Sequence, residues 1–328
     1  MNSEFRPPAW LSNRHLQSVW PSLPLRRRSI ERRAAAVIAA SRQLVLDCGD
    51  GARLMGWVTD PPRGTANAEQ RLAVLLHGWE GSSESLYVLS CAQLLHERGF
   101  TVLRLNLRDH GGTHALNKEL FHSCRLPEVV GAVARLQALY PVHDLSLAGF
   151  SLGGNFCLRV GARAGEAGIR IARIVAVCPV LEPATTLAAL EQGPAIYRQY
   201  FMHKWRRSLR SKQVAWPDEY DFGELIGDPS LTGMTEKMVL KYTDFPDLAT
   251  YLRGYAITGG VLESLEAPAH IVTSRDDPMI LARDLERLAR SASLRLTVTP
   301  HGGHCGFVDS LAGPSWIDRR IVAELERD

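Results

Sequence analysis

Gly149-Phe150-Ser151-Leu152-Gly153 is the most informative segment of this sequence. It has the pattern G-x-S-x-G, follows an apolar run at residues 145–148 and precedes a segment with helical patterning. A serine at a sharp strand-to-helix turn needs small neighbours, because its backbone is strained and adjacent side chains would collide. The stretch therefore predicts a nucleophilic serine, Ser151, exposed between a strand and a helix. The alternative interpretation is a serine that only caps a helix N-terminus.

Short apolar runs alternate with amphipathic segments on both sides of this turn. The predicted strands are residues 43–47, 53–59, 72–76, 101–105, 145–148, 171–177, 270–273 and 294–298. The predicted helices are residues 85–98, 126–139, 154–164, 280–289 and 316–326. This alternation predicts an α/β fold: a mostly parallel sheet of about eight strands with helices on both faces.

Residues 183–262 break the alternation, since they contain no clear strand and many aromatic side chains. About 80 residues are too many for a simple connection between two strands. We therefore expect a helical cap insertion at 183–262, inside a core made of residues 43–182 and 263–328. A basic run between Arg198 and Lys212 within the insertion is interpreted as the solvated face of a helix.

Composition excludes several classes of protein. The 328 residues are 45% hydrophobic, yet no apolar run approaches the ~18–20 residues of a membrane helix. The start of the chain has no secretory signal pattern. Six scattered cysteines without a C-x-x-C pair indicate a reducing compartment, the cytoplasm, and neither a disulfide framework nor a zinc site. A net charge of +3 argues against nucleic acid as a partner.

The positive charge is concentrated in residues 1–42, which contain eight arginines and only two glutamates. We interpret this segment as a solvated, basic N-terminal arm. The alternative is a weak contact with a membrane surface or another anionic partner.

A serine hydroxyl is a weak nucleophile until a base removes its proton, so Ser151 requires a histidine oriented by a carboxylate. Candidates follow the last two predicted strands: Asp276 or Asp277, then His301 or His304. We favour Asp277, because the pattern Asp-x-apolar-apolar begins there, and leave Asp276 a loop or helix-capping role. We favour His304, because the two preceding glycines let the loop bring it over Ser151; His301 would then be structural.

An ester-cleaving serine also needs two N–H groups that stabilise the oxyanion. The segment His77-Gly78-Trp79-Glu80-Gly81 follows the strand at residues 72–76. We predict the backbone N–H groups of Trp79 and Leu152 as the oxyanion hole, and a structural role for His77.

Two segments resemble other kinds of site. Asp109-His110-Gly111-Gly112-Thr113-His114 combines an acid with two histidines, but the glycines between them prevent a rigid metal-binding face. Cys305 lies beside His304 without the turn that a nucleophile needs. We therefore expect no metal and no organic cofactor.

These motifs resemble the α/β-hydrolase superfamily, and within it the YheT-like group of bacterial esterases and yeast medium-chain acyl-ester synthases/esterases. The resemblance covers most of the chain. It is carried by NRHLQSVWP at 13–21, HGWEGSS at 77–83, GFSLGGN at 149–155, DDP at 276–278 and GGHCGF at 302–307. It implies Ser151 as nucleophile, Asp277 as acid and His304 as base. Residues 108–111, Arg-Asp-His-Gly, depart from the Arg-Gly pair usual in the group.

The sequence thus predicts a serine hydrolase that cleaves small-molecule or lipid-like carboxylic esters with short- to medium-chain acyl groups. One rival is an acyltransferase, which passes the acyl group to an alcohol instead of water. A second rival is a catalytically silent binding module on the same fold. A third is a lipid-surface enzyme recruited by the arginine-rich arm.

Overall fold

The computed structural model of the chain describes residues 5–61 and 70–327. Within them, eight strands form a single sheet. They are β1 (Arg42–Asp47), β2 (Arg53–Thr59), β3 (Arg71–Leu76), β4 (Thr101–Asn106), β5 (Asp144–Phe150), β6 (Arg173–Val177), β7 (Ala269–Ser274) and β8 (Leu294–Thr299). Their order is β1-β2-β4-β3-β5-β6-β7-β8. Only β2 runs antiparallel to its neighbours, so the mostly parallel sheet is confirmed.

The described residues contain helices before, between and after the strands. They are α1 (Arg14–Val19), α2 (Pro24–Arg33), α3 (Ala35–Ala40), α4 (Leu86–Glu97), α5 (Leu126–Leu139), α6 (Leu152–Arg163), α7 (Pro183–Gln192), α8 (Ala195–Ala215), α9 (Gly223–Ile226), α10 (Leu231–Tyr242), α11 (Leu248–Arg253) and α12 (Trp316–Leu325). Short 3₁₀ helices lie at Ala9–Leu11, Trp20–Ser22, Gly260–Leu262 and Ala282–Arg287. None of the described helices is both long and apolar enough to span a membrane.

Alternate residues of the central strand β3 pack against different layers of helices. Leu72, Val74 and Leu76 join an apolar cluster with α5 and α6. Ala73 and Leu75 join a second cluster with α4 and α12. Because side chains alternate along a strand, this division places helices on both faces of the sheet, as predicted.

The prediction of a helix at residues 280–289 is wrong, since only the 3₁₀ helix Ala282–Arg287 forms there. The Asp284 carboxylate accepts a hydrogen bond from the Thr185 hydroxyl at 2.5 Å. The Arg287 carbonyl accepts one from the Gly259 N–H at 2.8 Å. The bond at the Arg287 carbonyl takes the place of one that would continue a helix, and the Asp284 side chain ties the segment to α7. The other predicted elements of the core agree with the structure to within two residues at each end.

The described part of the basic N-terminal segment, residues 5–42, packs against the core and differs in this from a solvated arm. Arg26 is only 4% exposed, and its guanidinium donates to the Gly313 carbonyl at 2.7 Å. Arg27, Arg28 and Arg32 are exposed. A charged side chain is buried here because it gains a charge-assisted hydrogen bond to a loop near the carboxyl end of the chain.

Residues 183–262 contain α7 to α11 and run between β6 and β7. Their apolar side chains form a cluster that includes Leu190, Trp205, Phe222, Met234 and Leu252. Leu120 and Met279 of the surrounding core join the same cluster. The segment therefore has an apolar core of its own, packed onto the edge of the sheet where the parallel strands end.

Candidate active site

Ser151 lies at the turn between β5 and α6 with a φ of 52° and a ψ of −117°. A positive φ is rare and strained for a residue other than glycine, and such strain is typical of functional turns. A Cβ at Gly149 would lie 2.3 Å from the Gly153 carbonyl oxygen, and one at Gly153 would lie 2.4 Å from the Leu76 carbonyl oxygen. The turn that holds Ser151 therefore requires both glycines of the G-x-S-x-G pattern.

His304 lies between Ser151 and Asp277. Its Nε2 is 2.9 Å from the Ser151 Oγ, and its Nδ1 is 2.8 Å from the Asp277 Oδ2. The other carboxylate oxygen, Oδ1, accepts the N–H groups of Met279 at 2.8 Å and Ile280 at 3.0 Å. The Asp277 side chain is fully buried, so these bonds hold the carboxylate, and through it the imidazole, in one orientation.

Asp276 and His301, the alternative acid and base, contact each other and the glycine loop. The Asp276 Oδ2 is 3.6 Å from the His301 Nδ1, and the imidazole is half-exposed. The Asp276 Oδ1 accepts the Gly303 N–H at 2.9 Å. Asp276 thereby shapes the loop that carries His304.

The electrostatic surroundings of His304 favour its protonated form. Burial alone would lower the pKa of the imidazole. The negative charge of Asp277, together with Cys305, outweighs burial and raises the pKa of His304 well above its usual value. A carboxylate that stabilises the imidazolium is what a base needs when it takes a proton from a hydroxyl.

The loop after β3 passes directly over Ser151. A Cβ at Gly78 would lie 3.3 Å from the Cβ of Ser151. Trp79 is the next residue of this loop, and Leu152 is the first residue of α6, where N–H groups have no acceptor within the helix. The two N–H groups predicted as the oxyanion hole thus belong to the two backbone segments that flank Ser151.

His77 fixes the conformation of the same loop. Its Nδ1 is 2.8 Å from the Gly78 carbonyl oxygen, and its Nε2 accepts the Leu107 N–H at 3.2 Å. Burial lowers the pKa of His77 to about 4, so the ring is neutral and carries its proton on Nδ1. The structural role predicted for His77 agrees with these contacts.

The N-terminal segment supports the loop that carries His304. The Ser18 hydroxyl accepts the His304 N–H at 2.8 Å. The buried Gln17 side chain accepts the Val308 N–H at 2.7 Å and donates to the Val308 carbonyl at 2.8 Å. Sequence reasoning missed both roles. Both residues belong to the N-R-H-L-Q-S motif, which indicates a family resemblance but assigns no role to either side chain.

Asp109 and His114, which could suggest a metal site, connect the core to α8. The Asp109 carboxylate is 2.9 Å from the Lys212 ammonium, which also donates to the Asn117 carbonyl at 2.7 Å. The His114 Nε2 is 2.9 Å from the Ser208 hydroxyl. Lys212 is fully buried, so the prediction of a solvated basic face is wrong at this residue.

Two cavities meet at Ser151 and His304. The lining of the first, beneath the cap helices, includes Leu152, Val180, Leu187, Leu190, Met238 and Tyr255. The lining of the second, between the N-terminal segment and α8, includes Ser18, Arg27, Glu84, Tyr197, Tyr200 and Lys204. Trp79 and Phe201 line both cavities and stack with ring centroids 5.3 Å apart. This aromatic pair lies between two cavities that are both mainly apolar, of which the second also holds the charged side chains of Arg27, Glu84 and Lys204.

A nucleophile turn between a strand and a helix, with a histidine and a buried carboxylate at the same edge of a mostly parallel sheet, is typical of α/β hydrolases. The model of the alpha/beta hydrolase family matches residues 73–312, and the chain belongs to that family.

Individual relatives are distant. The chain is 25% identical over 336 residues to "Putative esterase YheT" of Escherichia coli (strain K12), covering 98% of this chain and 92% of that protein. Its structure is similar to the esterase Pf2001 of Pyrococcus furiosus, with a TM-score of 0.55 and 16% identity, covering 88% and 92% of the two chains. It is also similar to the carboxylesterase CesB (YbfK) of Bacillus subtilis, with a TM-score of 0.52 and 15% identity, covering 92% and 96%. These two structures support the fold.

Proposed function

We propose that the protein is a carboxylic ester hydrolase in which Ser151 is the nucleophile, His304 the base and Asp277 the acid. The observation that carries this proposal is the continuous chain of short contacts from the Asp277 carboxylate through His304 to the Ser151 hydroxyl. The esterase name of the relative in Escherichia coli supports the same chemistry.

The reaction proceeds in two steps through an acyl-enzyme. His304 removes the Ser151 proton as the oxygen attacks the ester carbonyl, and Asp277 stabilises the imidazolium that forms. The N–H groups of Trp79 and Leu152 donate to the oxyanion. His304 then protonates the departing alcohol, after which a water molecule, deprotonated by His304, releases the acid and restores Ser151.

The two cavities divide the substrate between them. An acyl chain fits the apolar cavity beneath the cap, because its burial removes apolar surface from water. The departing alcohol fits the cavity lined by Lys204, Tyr200 and Glu84, whose polar groups suit a hydroxylated or charged fragment. Residues 183–262 act as a cap in this proposal, and the cavity beneath them suits short- to medium-chain acyl groups.

The test is hydrolysis of p-nitrophenyl esters from acetate to laurate by the wild type and by Ser151→Ala. We expect turnover by the wild type with an optimum at short to medium chains, and loss of turnover in the variant. Turnover by Ser151→Ala equal to that of the wild type would refute Ser151 as the nucleophile. No turnover by the wild type on any ester would refute the esterase and favour a binding module.

The same assay with an added alcohol separates hydrolysis from acyl transfer. A hydrolase releases mainly free acid from the acyl-enzyme, whereas an acyltransferase yields mainly the new ester. Product analysis by chromatography, with Ser151→Ala as the blank, measures this ratio directly.

A further inference from the structure

Two thiol sulfurs and a ring nitrogen of the proposed base lie close enough together to bind one metal ion. The Sγ atoms of Cys178 and Cys305 and a ring nitrogen of His304 all lie within 4.8 Å of one another. In a tetrahedral zinc site with Zn–S bonds of about 2.3 Å, neighbouring ligand atoms are about 3.8 Å apart. We propose that these three residues bind a soft divalent cation such as Zn²⁺, and that the bound ion inhibits the enzyme by engaging His304.

The two thiols come from different parts of the sheet edge, since Cys178 follows β6 directly and Cys305 lies in the loop after β8. Both cysteines are free, and the Cys305 N–H donates to the Cys178 Sγ at 3.3 Å. Each has a positive φ, 42° at Cys178 and 58° at Cys305. Such conformations are costly for residues other than glycine, so the surrounding structure must hold both residues in place. Two thiols and an imidazole are the donor set that Zn²⁺ prefers over harder cations.

The ion has a route to these ligands. Cys305 and His304 line the second cavity, which also reaches Ser151. Cys178 is fully buried behind them and supplies the inner ligand. Water in the cavity completes a four-coordinate site, so no further protein ligand is needed.

Coordination inhibits catalysis through either ring nitrogen. An ion on Nε2 occupies the lone pair that must accept the Ser151 proton. An ion on Nδ1 displaces the bond to Asp277 and leaves the imidazole proton on Nε2, which then faces Ser151 as a donor. Two Zn–S bonds and one Zn–N bond form, the thiols and the coordinating ring nitrogen release the protons that they carry to solvent, and no atom changes its oxidation state.

The inhibitory role of the ion rests on the proposed function, whereas its binding does not. It also differs from the sequence-based expectation of no metal. That expectation followed from the lack of a C-x-x-C pair, whereas Cys178 and Cys305 are 127 residues apart in the chain.

Binding is tested with Co²⁺ alone, as a spectroscopic substitute for Zn²⁺, on the reduced full-length protein. We expect a near-ultraviolet thiolate-to-cobalt charge-transfer band in the wild type, in Ser151→Ala and in the matched thiol control Cys48→Ser. Cys305→Ser should lose most of this band and bind Zn²⁺ at least about 100-fold more weakly, since it removes a direct ligand. A band of equal intensity in Cys305→Ser would overturn the proposal.

Inhibition is tested by Zn²⁺ titration of ester hydrolysis, with recovery on adding EDTA. Wild type and Cys48→Ser should be inhibited at the same concentration, and Cys305→Ser only at about 100-fold more Zn²⁺. Equal inhibition of Cys305→Ser and Cys48→Ser would overturn the inhibitory role. If the chain hydrolyses no ester, the proposed function fails, while the cobalt titration still decides whether the three residues bind metal.

Discussion

Replacing Asp277 by asparagine should abolish most ester hydrolysis without unfolding the protein. The Asp277 Oδ1 accepts the N–H groups of Met279 and Ile280, while Oδ2 faces the His304 Nδ1. Asparagine keeps the two backbone bonds only if its amide nitrogen turns toward His304. An amide N–H directed at Nδ1 moves the imidazole proton to Nε2, which can then no longer accept the proton of Ser151.

The size of the effect follows from this exchange of tautomers. Holding a triad histidine in the wrong tautomer lowers kcat by about 10⁴-fold, which corresponds to about 5 kcal/mol of transition-state stabilisation. Asp276→Asn is the matched control. It retains the oxygen that accepts the Gly303 N–H, so kcat/KM should stay within about 3-fold of the wild type.

The assay is steady-state hydrolysis of p-nitrophenyl butyrate by the wild type and both variants, with circular dichroism and thermal melting as checks of the fold. A folded Asp277→Asn protein that keeps more than about a tenth of the wild-type kcat would refute the tautomer argument. A loss in Asp276→Asn as large as that in Asp277→Asn would refute the choice of acid.

Burial raises the pKa of Glu80 to about 7. Ionising this carboxyl group therefore destabilises the folded protein: the cost is absent below pH 4.5 and reaches about 3 kcal/mol above pH 7, where Glu80 is ionised in both the folded and the unfolded state. Glu80→Gln should therefore gain up to about 3 kcal/mol of unfolding free energy over the wild type at pH 8 and nothing at pH 4.5, measured by urea unfolding; an equal difference at both pH values would contradict this. Lys212→Met should lose about 3–5 kcal/mol, because it leaves the buried Asp109 carboxylate unpaired; the same unfolding assay should show partial recovery in the double variant with Asp109→Asn, and no recovery would contradict the ion pair. Ser18→Ala should lower kcat by about tenfold at unchanged KM, because the His304 N–H loses its acceptor; an unchanged kcat would show that the loop holds its position alone.

Local constraints explain why the sequence was informative about the serine turn. Gly149 and Gly153 are required because other backbone atoms pass too close for a side chain, and the sequence pattern shows this requirement directly. The strands were equally predictable, because alternating burial on two faces leaves short runs rich in valine, isoleucine and leucine. For the same reason, the amino-acid pattern alone located the strand ends that carry the candidate triad.

Features that depend on distant partners could not be predicted in this way. The helix expected at residues 280–289 does not form, and the segment is instead tied to Thr185 and Gly259 by hydrogen bonds that no local pattern reveals. The sequence predicts a solvated Lys212, because the carbonyl groups that accept its hydrogen bonds lie about 95 residues earlier in the chain. A charge is buried only where several acceptors converge, and convergence is a property of the folded chain.

The support of the His304 loop by α1 bears on how the protein is synthesised. Ser18 and His304 are 286 residues apart, and Gln17 and Val308 are 291 apart. At about 5–20 residues per second, a ribosome needs roughly 15–60 seconds to bring the later partners out after the earlier ones. Over the last 153 residues of that interval, the nascent chain carries Ser151 without a base beside it. On the proposed mechanism, the hydrolase acquires its activity only after the loop that carries His304 has been synthesised and has met α1.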